Sequence, residues 1–127
     1  MSYGYSKSVE LSFSEAEAKV REELQKEGFG VLTEIDVKSV LKKKLDVDTE
    51  DYVILGACNP SFAHKALQAE KEIGLLLPCN VIVYRKDDKT FISAINPMEA
   101  MGMVDNLKLQ KISREVSEKL RRVVDNL

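Results

Sequence analysis

The sequence predicts an α+β fold: a single compact domain with a mixed or antiparallel sheet of about five strands and helices packed over one face. Runs of β-forming residues alternate with segments of helical periodicity along the chain. Two of these runs are separated only by the turn at Asp87-Asp88, so at least one strand pair is antiparallel. Residues 106–127 repeat apolar side chains every three or four positions, which predicts a long C-terminal helix.

The beginning of the chain predicts a strand followed by a helix. Residues 3–11 alternate as a strand does, with these side chains on one face: Tyr3, Tyr5, Val9 and Leu11. Ser12 and Glu15 have the spacing of a capping box, so a helix is expected to begin there. Gly28 suits the left-handed position that ends a helix. The apolar stripe between them is Ala16, Val20 and Leu24.

The next segment predicts a strand, a short helix and another strand. Residues 30–35 are rich in β-forming residues, and Asp36 can cap the helix that follows. The inward positions of that helix are Val37, Val40, Leu41 and Leu45. Residues 52–57 form a continuous apolar run of strand length, which indicates a buried strand.

Two further helices are expected to begin at Asn-Pro pairs. In Asn59-Pro60, Asn is the N-cap and Pro occupies the first helical position, where its missing N–H costs nothing. The buried side of this helix is Ala63, Ala66 and Leu67. Asn96-Pro97 begins a short helix that ends at Gly102.

The segments between and after these helices complete the prediction. An apolar run over 73–77 stops at Pro78, and residues 81–86 and 90–95 form the hairpin. The C-terminal helix has one buried stripe: Ile112, Val116, Leu120, Val123 and Leu127. Its basic residues indicate a solvated face: Lys108, Lys111, Arg114, Lys119, Arg121 and Arg122.

Composition limits the classes of function. The 127 residues fit one domain, 1–127, and 44% hydrophobic with 31% charged residues is ordinary for a globular protein. A net charge of −2 argues against a nucleic-acid partner. No window approaches the roughly 18–20 apolar residues of a membrane span, and residues 1–9 lack a signal-peptide pattern. We therefore expect a cytoplasmic protein without a membrane partner, in which both cysteines are thiols.

Five residues form the candidate ligand-binding site: Cys58, Asn59, His64, Cys79 and Asn80. Cys58 precedes a helix N-terminus, where free N–H groups and the helix dipole favour a thiolate. A small apolar thiol at the end of a buried strand is also a common structural use of cysteine. Both interpretations remain open at this point.

Three classes of function are compatible with this set. The first is a non-enzymatic, self-associating module that binds a small molecule around these residues. The second is a thiol-dependent enzyme or redox protein, with Cys58 as nucleophile, His64 as base, and Asn59 or Asn80 orienting the imidazole. The third is a metal-binding protein with Cys58, Cys79 and His64 as ligands. The residues alone name no cofactor and do not decide whether the protein is an enzyme.

The methionines after the hairpin suggest a further surface. Met98, Met101 and Met103 lie close together in sequence, and flexible, polarizable methionine is favoured at adaptable surfaces. They are expected to line a ligand cleft or a self-association face, or to fill the edge of the core.

Three blocks of the sequence, residues 28–36, 54–60 and 76–80, resemble the family catalogued as domain of unknown function 302. The resemblance extends from about Tyr5 to the C-terminus. It implies a compact α+β domain of bacteria and archaea that often self-associates and has no settled activity, and it supplies no catalytic residues. Together with the apolar strand and methionine surface, it predicts a homodimer.

Overall fold

The computed structural model describes residues 2–127, that is, every residue except Met1. Over this range the strands are β1 (Gly4–Val9), β2 (Gly30–Asp36), β3 (Tyr52–Cys58), β4 (Cys79–Lys86) and β5 (Lys89–Ile95). The helices are α1 (Phe13–Lys26), α2 (Val37–Leu45), α3 (Pro60–Ala69), α4 (Pro97–Ala100) and α5 (Leu107–Asp125), and a 3₁₀ helix covers Lys71–Leu76. No helix in residues 2–127 combines the length and the apolar composition needed to cross a membrane.

The strands form one antiparallel sheet in the spatial order β1-β5-β4-β3-β2. The α+β prediction is confirmed, and the sheet is antiparallel rather than mixed. The β4–β5 hairpin turns at Asp87 and Asp88, whose φ angles are 52° and 62°. Two consecutive left-handed residues match the right-handed twist of the paired strands, because the turn has the same sense of twist.

One face of the sheet is covered by α1 and α5. The main core lies between this face and the two helices. The strands contribute the fully buried Leu55, Val81 and Ile92 to this core. The helices contribute the predicted stripes: Ala16, Val20 and Leu24 from α1, with Val116, Leu120 and Val123 from α5. A second core under α3 and α4 contains Ala66, Ile73, Met101 and Leu109.

The predicted helix-capping interactions of α1 are present. The Ser12 hydroxyl accepts a hydrogen bond from the Glu15 N–H at 3.2 Å, and the Glu15 carboxylate accepts one from the Ser12 N–H at 3.1 Å. Gly28 has φ +86°, the left-handed conformation expected after a helix.

Gly56 allows the side chains of Thr33 and Pro78 to approach the backbone closely in the middle of the sheet. A Cβ at this position would collide with the Thr33 hydroxyl and would lie 2.8 Å from the Pro78 ring. Only glycine therefore fits between these two side chains without a shift of the backbone.

The predicted inward face of α2 is wrong. Val40 is 43% exposed, Leu45 is 67% exposed, and α2 buries no residue. Neither core includes a residue of this helix. The reason is its location, because α2 follows the edge strand β2 and packs mainly against β2 and β3, away from α1 and α5.

Two other side chains that the sequence places on apolar faces, Tyr3 on its strand and Leu67 on its helix, are exposed. Tyr3 precedes the first paired residue of β1, so the strand alternation does not extend to it. Leu67 lies at the margin of the buried side of α3, which is centred on Phe62, Ala63 and Ala66.

The sheet face opposite α1 and α5 carries apolar side chains that belong to neither core; we call it the outer face. Strand pairing aligns them in two rows, Ile35–Ile54–Ile82 and Tyr52–Tyr84–Phe91. The three rings are stacked, with centroids 5.4 Å and 5.2 Å apart. Most of these side chains are only half-buried, so the outer face presents a continuous apolar strip.

Candidate functional site

Four of the five predicted site residues lie near one end of the sheet and at the start of α3. Cys58 ends β3, Asn59 is the N-cap of α3, and Cys79 begins β4. Ala57 pairs with Cys79, so the two cysteines belong to the same end of the sheet. Asn80 follows Cys79 and pairs with Gly56, so its exposed side chain points to the opposite face from Cys79.

Cys79 is a packed thiol. It is buried in the main core, and this burial, with a smaller contribution from the neighbouring Cys58, raises the pKa of the Cys79 thiol to about 11. At neutral pH the thiol therefore stays protonated, which is the weakly nucleophilic form. Cys79 thus fits the structural interpretation.

The predicted metal ligands do not form a metal site. Cys58 is half-buried and His64 is exposed on α3, while Cys79 points into the core. Across residues 2–127, no group of three or more His, Cys, Asp and Glu side chains could hold a metal ion. The role of Cys58 as a nucleophile with His64 stays a prediction.

Asn59 occupies the N-cap position of α3, but its side chain connects two helices instead of making the predicted cap interaction. Its side chain makes no cap hydrogen bond, and Nδ2 donates to the Glu27 carbonyl oxygen at 3.3 Å. Since Glu27 follows α1, this bond joins the end of α1 to the beginning of α3.

Of the predicted residues, Asn59 and Cys79 line the same apolar cavity, of about 30 Å³, which we call the core cavity. It lies between the two cores, because its lining includes Val116 from the main core and both Ala66 and Met101 from the second. The predicted site is therefore brought together only in part: Cys58, His64 and Asn80 do not line this cavity.

A larger opening, of about 490 Å³, runs between the N-terminal strand, α4 and α5; we call it the α5 groove. Its polar lining includes Tyr5, Asn96, Arg114, Glu118 and Arg121. One sequence signal points to this groove, because residues 114, 118 and 121 share one face of the predicted helix. The basic residues of this helix indicate a solvated face, and no local sequence pattern associates that face with Tyr5.

The lining residues of the groove are held by contacts with one another and with Asp125 at the end of α5. The Arg121 guanidinium carbon lies 4.9 Å from the centre of the Tyr5 ring, and the Tyr5 hydroxyl donates to Asp125 at 2.8 Å. Asn96 Oδ1 accepts from the Met98 N–H at 3.1 Å and from the Ser117 hydroxyl at 2.9 Å.

An antiparallel sheet with α1 and α5 on one face and two apolar cores defines an α+β domain. Residues 5–127 match the family described as "Domain of unknown function DUF302", and the chain belongs to this family. The resemblance detected in the three sequence blocks is thereby confirmed.

A solved relative has the same fold. The chain is similar to the crystal structure of an uncharacterized conserved DUF302 protein from Bacillus stearothermophilus, with 30% sequence identity and a TM-score of 0.92. The similarity covers 98% of this chain and 98% of that chain. No curated protein shows a significant match.

Proposed function

We propose that this protein is a non-enzymatic, self-associating module that binds a small, mainly apolar molecule in the core cavity. The observation that supports this proposal is the cavity itself, which lies between two cores and is lined by two predicted site residues, Asn59 and Cys79. Two free thiols are compatible with the reducing cytoplasm, where we expect the module to work.

The lining determines the class of ligand. Phe29, Phe62 and Met101 supply apolar surface, and the protonated Cys79 thiol behaves as another small apolar group. A cavity of about 30 Å³ accepts a group of only a few atoms, so the ligand inserts a methyl group or a short chain rather than a ring system. The half-buried Asn59 amide offers a polar contact for the rest of the molecule.

The test uses xenon as an apolar probe and the methionine methyl groups as reporters. We expect xenon under pressure to shift the methyl resonance of Met101, which lines the cavity, and to leave that of the exposed Met103 unchanged. Ala63→Val narrows the cavity and should abolish the Met101 shift, whereas Ala69→Val, on the same helix but outside the lining, should retain it. A Met101 resonance that does not respond in the wild type would contradict the proposal. In a separate experiment, native mass spectrometry of freshly purified protein would identify any ligand that the protein retains.

Self-association is proposed through the outer face. Its central residues, Ile54 and Ile82, pair directly across β3 and β4, and the rows around them are uncharged. A two-fold interface brings the same patch of each copy together, so an uncharged apolar patch is self-complementary. Burying it in a homodimer removes apolar surface from water, which stabilises the pair.

A further inference from the structure

We infer that the α5 groove is a second binding site, which takes a small zwitterion of the amino-acid type with an apolar side chain. The groove shares no lining residue with the core cavity, so the inference does not depend on the function proposed above. Its volume of about 490 Å³ lies within the range of about 300–1,000 Å³ typical of small-molecule sites.

Two arginines provide the positive side of the groove. Arg114 and Arg121 lie two helical turns apart on α5, roughly 10 Å along its axis. In residues 2–127 neither forms an ion pair with a carboxylate, although the adjacent Arg122 pairs with Glu27 at 3.0 Å. The N–H groups of these two guanidinium groups therefore remain available to a ligand carboxylate.

Arg121 is held in place without using its hydrogen-bond donors. Its guanidinium carbon lies over the Tyr5 ring, and a contact with the ring face leaves the N–H groups at the edge of the guanidinium plane. The ring is itself anchored, because the Tyr5 hydroxyl donates to Asp125. This arrangement orients the guanidinium before a ligand arrives, which reduces the entropic cost of binding.

Asn96 adds a neutral donor. Its Oδ1 already accepts two hydrogen bonds, from the Met98 N–H and the Ser117 hydroxyl, and this fixes the orientation of the amide. The Nδ2 group has no acceptor within residues 2–127, so its hydrogens can bind a second carboxylate oxygen.

Two carboxylates of the groove favour a zwitterionic ligand over a simple anion. Glu99 and Glu118 also line the groove, and within the described chain neither has a cationic partner at ion-pair distance. Glu118 lies one turn from each arginine on α5, so a ligand carboxylate bound to the arginines lies near a negative charge. An ammonium group on the same ligand compensates for that charge, while the half-buried Ile95 and the exposed Met98 provide apolar surface for its side chain.

Three probes that share the leucine side chain and differ in their charged groups test this inference. Isothermal titration calorimetry should detect binding of L-leucine, which carries both charges. N-acetyl-L-leucine lacks the ammonium group and L-leucinamide lacks the carboxylate, and we expect each to bind at least about tenfold more weakly. No detectable binding of L-leucine at about 10 mM would overturn the inference, and so would equal binding of N-acetyl-L-leucine.

Variants on α5 assign the binding to the groove. Arg121→Gln and Glu118→Gln should each weaken L-leucine binding by about tenfold or more. Lys111→Gln makes the same change of charge as Arg121→Gln on the same helix outside the groove, and it should leave binding within about twofold. Ala63→Val, which narrows the core cavity, should leave L-leucine binding intact, so the two proposed sites can fail independently. Binding that survives both Arg121→Gln and Glu118→Gln would exclude this groove as the site.

Discussion

At the scale of single residues, Cys79 illustrates how position determines chemistry. Its sequence context was compatible with a reactive thiol, a metal ligand and a packed side chain. The side chain lies in the main core at 7% exposure, and burial raises its pKa from 9.0 to about 11. Because this group is buried and its pKa is raised, the stability of the fold should depend on pH in the alkaline range.

We expect Cys79 to destabilise the fold between about pH 9 and pH 11. In this window the unfolded chain loses the thiol proton while the folded chain keeps it, so stability falls as pH rises. A difference of about two pKa units corresponds to a loss of roughly 2–3 kcal/mol of unfolding free energy at the upper end. Urea unfolding at several pH values would measure it.

Cys79→Ala serves as the reference, since lysines and tyrosines also titrate in this range. The unfolding free energy of the wild type minus that of the variant should be constant below about pH 8 and should decline above about pH 9. A difference that does not change with pH would show that the thiol is not buried in solution.

Local contacts of single residues were predictable from the sequence, and distant ones were not. The Ser12–Glu15 capping box and the left-handed Gly28 depend on neighbours within one helical turn, so their spacing identifies them. The Tyr5–Asp125 hydrogen bond joins residues 120 positions apart. No local pattern contains such a contact, and the α5 groove was missed for this reason.

At the scale of elements, α5 and α2 show what amphipathic periodicity can and cannot predict. Both have apolar side chains at helical spacing, and both form helices, at Leu107–Asp125 and Val37–Leu45. Only α5 packs across the sheet, where its stripe is buried. Periodicity indicates which side of a helix would face a core, but the tertiary fold determines whether a core is there.

Two leucine substitutions measure this difference between the helices. Leu120→Ala in α5 should lower the unfolding free energy by about 2–5 kcal/mol, because it leaves a cavity at a position that is 1% exposed. Leu45→Ala in α2 makes the same chemical change at a position that is 67% exposed, and it should cost less than about 1 kcal/mol. Denaturant unfolding compares the two, and a change within about 0.5 kcal/mol for Leu120→Ala would contradict the described core.

At the scale of the whole molecule, the outer face leads to a prediction about assembly. Sedimentation equilibrium at micromolar concentration should give twice the chain mass of 14.3 kDa for the wild type. Ile82→Lys puts a charge at the centre of the outer face, opposite its own copy in a two-fold interface, and should shift the protein to monomer. Gln25→Lys adds the same charge on the exposed side of α1 and should remain dimeric.

Two results would reject this assembly. A wild-type mass near 14.3 kDa at all concentrations would exclude the homodimer. If the Ile82→Lys variant is folded, as judged by circular dichroism, and is still a dimer, the interface does not lie on the outer face.

The fold class was predictable because hydrophobic periodicity reports each element separately, and the Asp87-Asp88 turn defines one pair of strands. The order of the strands in the sheet was not predictable from the sequence. Pairing of β1 with β5, and of β3 with both β2 and β4, is decided by packing between distant segments. The outer face was equally hidden, because its two rows exist only once four strands are in register.

The pairing of β1 with β5 also has a kinetic consequence. The hairpin of β4 and β5 closes through a two-residue turn, whereas the hydrogen-bonded Ser6 and Ser93 of β1 and β5 are 87 positions apart. Closing the longer loop costs more chain entropy, so the hairpin is expected to form early in folding and β1 to join it late. Tyr5 belongs to β1, and so the wall of the α5 groove on which Arg121 rests is assembled only in the last steps of folding.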